Sequence, residues 1–224
     1  MDDNWLKEWT EKKVQLANRL HNGECGGTYA ESVLILCGVL SGISADIWPD
    51  KRNDRKRFVE LLVRYTSPSS CVTRVSIPLL IGYYRNIGKS DLSASLKDKL
   101  MAYDVTRVLA GNDVDKNINE ISKDFPEADI KTLKKHSYAN LLYEEIRSGY
   151  AHEYMPGTRS DSWGMGSGRV DSDISYVNRV SEPDRLIYFS ISWLSLLVRE
   201  VVEHLAKLDE KPIFKNYSNW WYES

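Results

Sequence analysis

The sequence predicts an all-α protein: a helical bundle with one glycine- and serine-rich loop and room for a short β-hairpin before the last helix. Three observations lead there. Apolar residues recur at helical spacing over several long stretches. Glycine, proline and asparagine fall between those stretches, where helices stop. No long alternating strand pattern and no strand–helix–strand rhythm is present, which leaves neither a sandwich nor a parallel sheet as the natural architecture. With 224 residues, 42% of them hydrophobic and 28% charged, the composition is that of an ordinary globular chain. No internal repeat divides it, and 1–224 is read as one domain.

The elements follow in order. Leu6, Trp9, Leu16 and Leu20 mark a first helix over Trp5–His21, closed by Asn22 and Gly23. Glu24–Gly27 is a loop. Tyr29–Trp48 is a second helix, apolar on most faces and stopped by Pro49. The basic run Lys51–Arg57 leads into a third helix carrying Phe58, Leu61, Leu62 and Tyr65. Val72–Asn86 is apolar but holds Pro78, which predicts a short helix or an irregular segment. Leu92–Leu109 is read as helix and Gly111–Lys123 as a polar turn region. Ile130–Tyr154 carries the stripe Ile130, Leu133, Leu141, Leu142 and Ile146, and is ended by Pro156 and Gly157. A flexible loop follows over about 156–173, then a strand or hairpin arm over Ile174–Val180. Ser181 and Asp184 have the spacing of a capping box, and the final helix is expected from Leu186 to about Leu208.

Net charge is −2 and the pI about 6.1. That excludes a chain whose whole surface is basic, though not a local basic groove. The three cysteines, Cys25, Cys37 and Cys71, form no CxxC and no zinc spacing, so a reducing cytoplasm is expected rather than a disulfide framework. The charged start MDDNWLKEWTEKK has no signal-peptide core. The apolar stretches Val33–Ile47 and Leu186–Val198 fall short of the roughly 20 residues a membrane span needs. No membrane association is therefore expected.

The search for chemistry narrows quickly. The sequence holds no P-loop, nucleophile elbow, dinucleotide fingerprint, HExxH or EF-hand loop, so no cofactor and no metal are expected. Gly164–Gly168 follows no predicted strand and reads as loop. Of the four histidines, His21 ends a helix, His136 lies in a polar run, His204 lies on the last helix, and His152 stands five residues after Arg147. Arg147-Ser-Gly-Tyr-Ala-His152 spells R-x4-H, and Tyr154 extends it to R-x4-H-x-Y. Arg199 and His204 share the R-x4-H spacing. Inside a regular helix, five steps of about 100° leave two side chains about 140° apart, which keeps Arg199 and His204 from converging. Gly149 and the stop at Pro156 give Arg147 and His152 a helix end that can bend.

At these residues the chain resembles the HEPN family, helical domains of toxin–antitoxin, antiviral and CRISPR-linked ribonucleases defined by an Arg, four to six residues, then a His. The close resemblance covers eight residues. The H-x-Y extension resembles the HEPN toxins paired with small nucleotidyltransferases. One departure is Ser148, where the family often has Asn, Asp or His. The resemblance implies metal-independent RNA cleavage at a site formed where two HEPN domains face each other, hence a homodimer. Imidazole, with a reference pKa of ~6.5, can take or give a proton at neutral pH. A guanidinium is always charged and suits a phosphorane. Glu144 or Glu145 is expected to orient Arg147. Tyr154, on the face of Arg147 if the helix persists, would touch substrate phosphate, and in the resembled toxins it is the residue to which the antitoxin attaches AMP. Lys51, Arg52, Arg55 and Arg57 are candidate RNA contacts, and Trp163 a candidate base-stacking residue. RNA, a second copy and an antitoxin or other regulator are the implied partners.

Alternatives remain open at this level. Arg147 could pair with Glu144 on the surface while His152 caps the helix. The chain could be a non-catalytic dimerisation or nucleotide-binding module of the same fold, or a helical scaffold with no site.

Overall fold

A computed structural model describes residues 3–49, 53–101, 108–162, 173–178, 184–208 and 220–221. The chain is mostly helical, as expected, with a small antiparallel sheet. Helices α1 (Asp3–His21) and α2 (Tyr29–Ile47) form an antiparallel pair, with α3 (Asp54–Tyr65) and α11 (Ile191–Leu205) packed against α2. Thr28 starts α2 with a complete capping box: its hydroxyl accepts from Ala30 N and Glu31 reaches back to its amide. Val33, Leu36, Leu40, Phe58, Leu61, Leu194 and Val198 are all at 0% exposure at the centre of this group. Among the described residues α2 is the one helix long and apolar enough to cross a membrane, and 44% of that window is buried inside the fold.

A second, smaller apolar cluster gathers α4 (Ile77–Asn86), α5 (Ser90–Leu100), α7 (Ile118–Asp124) and α8 (Ile130–Lys135). Pro78 lies in the first turn of α4, where its missing N–H costs nothing, so the proline that argued for irregular chain starts a helix.

Three expectations fail for physical reasons. The helix expected over Leu92–Leu109 ends at Leu100, and Leu109–Ala110 is strand β1. The helix expected from Leu186 begins only at Ile191, where Ser190 caps it. Arg185–Phe189 is instead β3, paired antiparallel with β2 (Ile174–Asn178), with Tyr176 opposite Ile187. Periodicity cannot separate a short apolar run in a strand from one in a buried helix. Asp184 therefore caps no helix; it pairs with Arg85, and Ser181 lies outside the described residues. The fold is thus mainly helical, and β2 and β3 supply the hairpin for which the sequence left room before the last helix, in a sheet of order β1-β2-β3.

The segment from Ile130 is not one helix. Residues 136–139 lie against 72–76: Ser76 N donates to His136 O, and Tyr138 N and Ala139 N donate to Arg74 O and Val72 O, all at 2.9 Å. Ser137 then caps α9 (Tyr138–Leu141), a π-helical stretch follows over Leu142–Ser148, and α10 (Gly149–Glu153) closes the run. In a π-helix each N–H reaches five residues back, a geometry that recurs at functional sites. α6 (Gly111–Val114) and α7 occupy the region read as turns.

The start of the expected flexible loop is anchored. Gly157 N donates to Glu145 O at 2.6 Å, and residues 159–161 pair with Ile187 of β3. Gly149 and Gly157 permit this fold-back, because a Cβ at either position would overlap the Met155–Gly157 backbone or the Glu145 side chain. Residues 163–172 lie outside the described residues.

Candidate functional site

Arg147 comes from the π-helical stretch and turns toward α2 and α3. Its Nη2 meets the Asp54 carboxylate at 2.9 Å, its Nε donates to Ser41 Oγ at 3.3 Å, and its guanidinium carbon lies 5.1 Å from the centre of the Tyr143 ring. Asp54 is the focus of the cluster. It also accepts from Tyr143 Oη at 2.7 Å and from Arg57 Nη2 at 2.8 Å. Burial pushes the Asp54 carboxyl up, but the Tyr143 hydrogen bond and the charges of Arg147 and Arg57 outweigh it and hold the group below its ordinary value. The same contact acts oppositely on Tyr143: burial first, then the bond to Asp54, pushes its hydroxyl up to about 12.

His152 is on α10, exposed, and among the described residues it makes no hydrogen bond or ion pair. Arg147 and His152 are near in sequence, yet no contact joins their side chains within one chain.

The acidic pair before Arg147 does not orient it. Glu144 pairs with Arg55 at 2.5 Å and with Arg159 at 3.0 Å, and the 5%-exposed Glu145 pairs with Arg159 at 2.7 Å. Asp54 takes the place expected of Glu144 or Glu145. The basic run is also not a free cationic stripe. Arg55 is held by Glu144 and by Asn140 Oδ1, while Arg57, 9% exposed, donates to Trp48 O as well as to Asp54. These two arginines fasten α3 to its neighbours; Lys51 and Arg52 lie outside the described residues, as does Trp163.

Tyr154 departs furthest from expectation. It ends α10 in the left-handed conformation, φ 57°, so the helix does not persist to carry it onto the face of Arg147. Its hydroxyl meets Glu31 near the start of α2, whereas Arg147 meets Ser41. Those two positions are about 15 Å apart along the helix at 1.5 Å per residue. Ser148 is half-buried, with no side-chain hydrogen bond among the described residues.

The other R-x4-H pair is committed to packing. Arg199 makes two hydrogen bonds of 2.9 Å to Glu11 on α1, and His204 Nδ1 donates to the Tyr65 carbonyl at 3.0 Å.

Sequence reading missed Asp54, Tyr143 and Ser41. Tyr143 stands one turn before Arg147, a spacing that the sequence displays; Asp54 and Ser41 come from other helices and leave no local signal. Among the described residues no group of three His, Cys, Asp or Glu side chains could hold a metal ion. No known protein family matches the chain, and comparison with curated proteins and with solved structures gave no match.

Proposed function

We propose that the chain is a metal-independent endoribonuclease of HEPN type, acting as a homodimer in the cytoplasm, with Arg147 and His152 as its catalytic residues. The observation that carries this reading is the contrast between the two R-x4-H pairs. Arg199 and His204 are both consumed by interhelical bonds, while Arg147, though paired with Asp54, stands in a π-helical turn at the border of solvent, and the exposed His152 has no hydrogen bond or ion pair among the described residues. A histidine with no partner, five residues from an arginine, fits a proton-transfer group awaiting substrate.

In the proposed reaction the RNA 2′-oxygen attacks the adjacent phosphorus. One imidazole accepts the 2′-hydroxyl proton. The bond from phosphorus to the 5′-oxygen breaks, and a second imidazole, from the other copy, protonates that oxygen. Arg147 stabilises the charge that builds on the phosphorane. The products are a 2′,3′-cyclic phosphate and a 5′-hydroxyl. A second copy supplies the second imidazole, because within one chain Arg147 turns inward and His152 outward. The resemblance extends the proposal to a toxin or defence effector restrained by an antitoxin.

A non-catalytic dimerisation or nucleotide-binding module is the second reading. The Arg147–Asp54 pair favours it, since a guanidinium already neutralised by a carboxylate is not free for phosphate.

Incubating the purified chain with mixed RNA in EDTA tests the proposal. Fragments ending in 2′,3′-cyclic phosphate are expected; intact RNA would refute it. Light scattering at micromolar concentration should give a dimer, and a strict monomer with activity retained would contradict the shared site.

A further inference from the structure

The cluster around Arg147 has the composition of an anion site with the anion supplied by the chain itself. Arg147 and Arg57 bring two guanidinium groups, and the Tyr143 hydroxyl donates to the same point. The Ser41 hydroxyl accepts from Arg147 Nε and steadies that guanidinium from the α2 side. One carboxylate, Asp54, spans these groups: one oxygen takes Arg147 and Tyr143, the other Arg57. Two forked guanidinium groups and a tyrosine hydroxyl converging on one carboxylate are equally suited to phosphate, which offers more acceptor oxygens and more charge.

We propose that Arg147, Arg57 and Tyr143 form a phosphate-binding site whose anion position is held by the Asp54 side chain until a phosphoryl group displaces it. This inference rests on the reading of Arg147 as the residue that meets substrate phosphate, and it adds the residue that restrains it. The exchange is sterically open. Arg147 and Asp54 retain 21% and 26% side-chain exposure, so the cluster borders solvent. Asp54 is the first residue of α3, and the preceding Asn53 does not cap that helix with its side chain. At the first turn of α3 the helix dipole favours the negative charge of a displaced carboxylate. Arg57 keeps its second bond, to Trp48 O at 3.3 Å, and stays in position during the exchange.

The test uses inorganic phosphate as the probe, titrated at fixed ionic strength, with binding read by isothermal titration calorimetry. Asp54→Asn keeps the shape and removes the charge, and should bind phosphate at least tenfold more tightly than the unsubstituted chain. Adding Arg147→Ala to Asp54→Asn should remove that gain. Asp54→Ser serves the same purpose if the Asn variant melts early. Equal, weak phosphate binding in a folded Asp54 variant, or a gain that survives loss of Arg147, would overturn the inference. RNA cleavage is read separately on the same proteins. A phosphate gain in a chain that cleaves no RNA keeps this site and refutes only the ribonuclease reading. Cleavage by Arg147 without any phosphate gain does the reverse.

Discussion

Asp54 and Asp115 both accept hydrogen bonds from tyrosine hydroxyls, and the two environments drive them in opposite directions. Asp54 lies at the border of solvent with two arginines on it and is held ionised. Asp115 is 2% exposed and accepts from Tyr138 and Tyr176 hydroxyls and from Ile77 N, with no guanidinium bonded to it; burial pushes its carboxyl up to about 7. One aspartate is a charge stored at the surface in a form another anion can replace. The other is a hydrogen-bonding knot joining α4, α6, α9 and β2. Their chemistry follows from their surroundings: at Asp54 the cations preserve the charge, while at Asp115 burial favours the protonated form against the pull of its three neutral donors.

The largest expected effect follows from burial. Asp115→Ala leaves two tyrosine hydroxyls and one amide without their acceptor in a site closed to water, a loss of about 3 kcal/mol or more in urea unfolding. Asp54→Ala, at a side chain about a quarter exposed, should cost about 1 kcal/mol. Equal losses would break the comparison.

The pH dependence of stability sharpens it. Folded Asp115 holds its proton up to about pH 7, against an ordinary value of 3.8, so its contribution falls as pH rises from about 4 to 7. Buried His136 runs the other way. Its Nδ1 donates to Thr132 O, and burial lowers its value from 6.5 to about 4, so stability rises with pH through that window. Each swing is on the order of 3 kcal/mol, and in the unsubstituted chain they offset. Asp115→Asn should leave a stability that climbs from pH 4 to 6.5, and His136→Gln one that declines. Unfolding at both pH values in both variants measures this; matching slopes would contradict it.

How much of this was legible in the sequence differs between the two regions. α2 was readable because Pro49 stops it and its apolar residues recur at helical spacing. The hairpin arm at Ile174 was readable, while its partner Arg185–Phe189 was not, since five apolar-rich residues before a helix look like that helix. Arg147 and His152 stand out by their spacing together with Gly149 and Pro156, since Arg199 and His204 share the spacing alone. Asp54 does not stand out, because it belongs to a basic run whose arginines draw attention to charge, and its pairing is set by how α3 packs. Asp115 left no mark at all: one carboxylate among several in a polar stretch gives no sign of burial.

Smaller effects separate the site from its surroundings. Tyr154→Phe removes a hydroxyl that meets Glu31, far along α2 from Arg147. It should change stability by less than about 0.5 kcal/mol and leave RNA cleavage unaltered. A clear loss of cleavage would bring Tyr154 back to the catalytic face.

His152 has no hydrogen-bond or ion-pair partner among the described residues, so His152→Ala should shift stability least of all. The most direct measurement is therefore RNA cleavage in EDTA by the His152→Ala protein beside the unsubstituted chain, with melting temperatures recorded for both. The account predicts cleavage by the unsubstituted chain, none by the variant, and equal melting temperatures. Full cleavage by the variant would contradict the assignment of His152 and the site built on it.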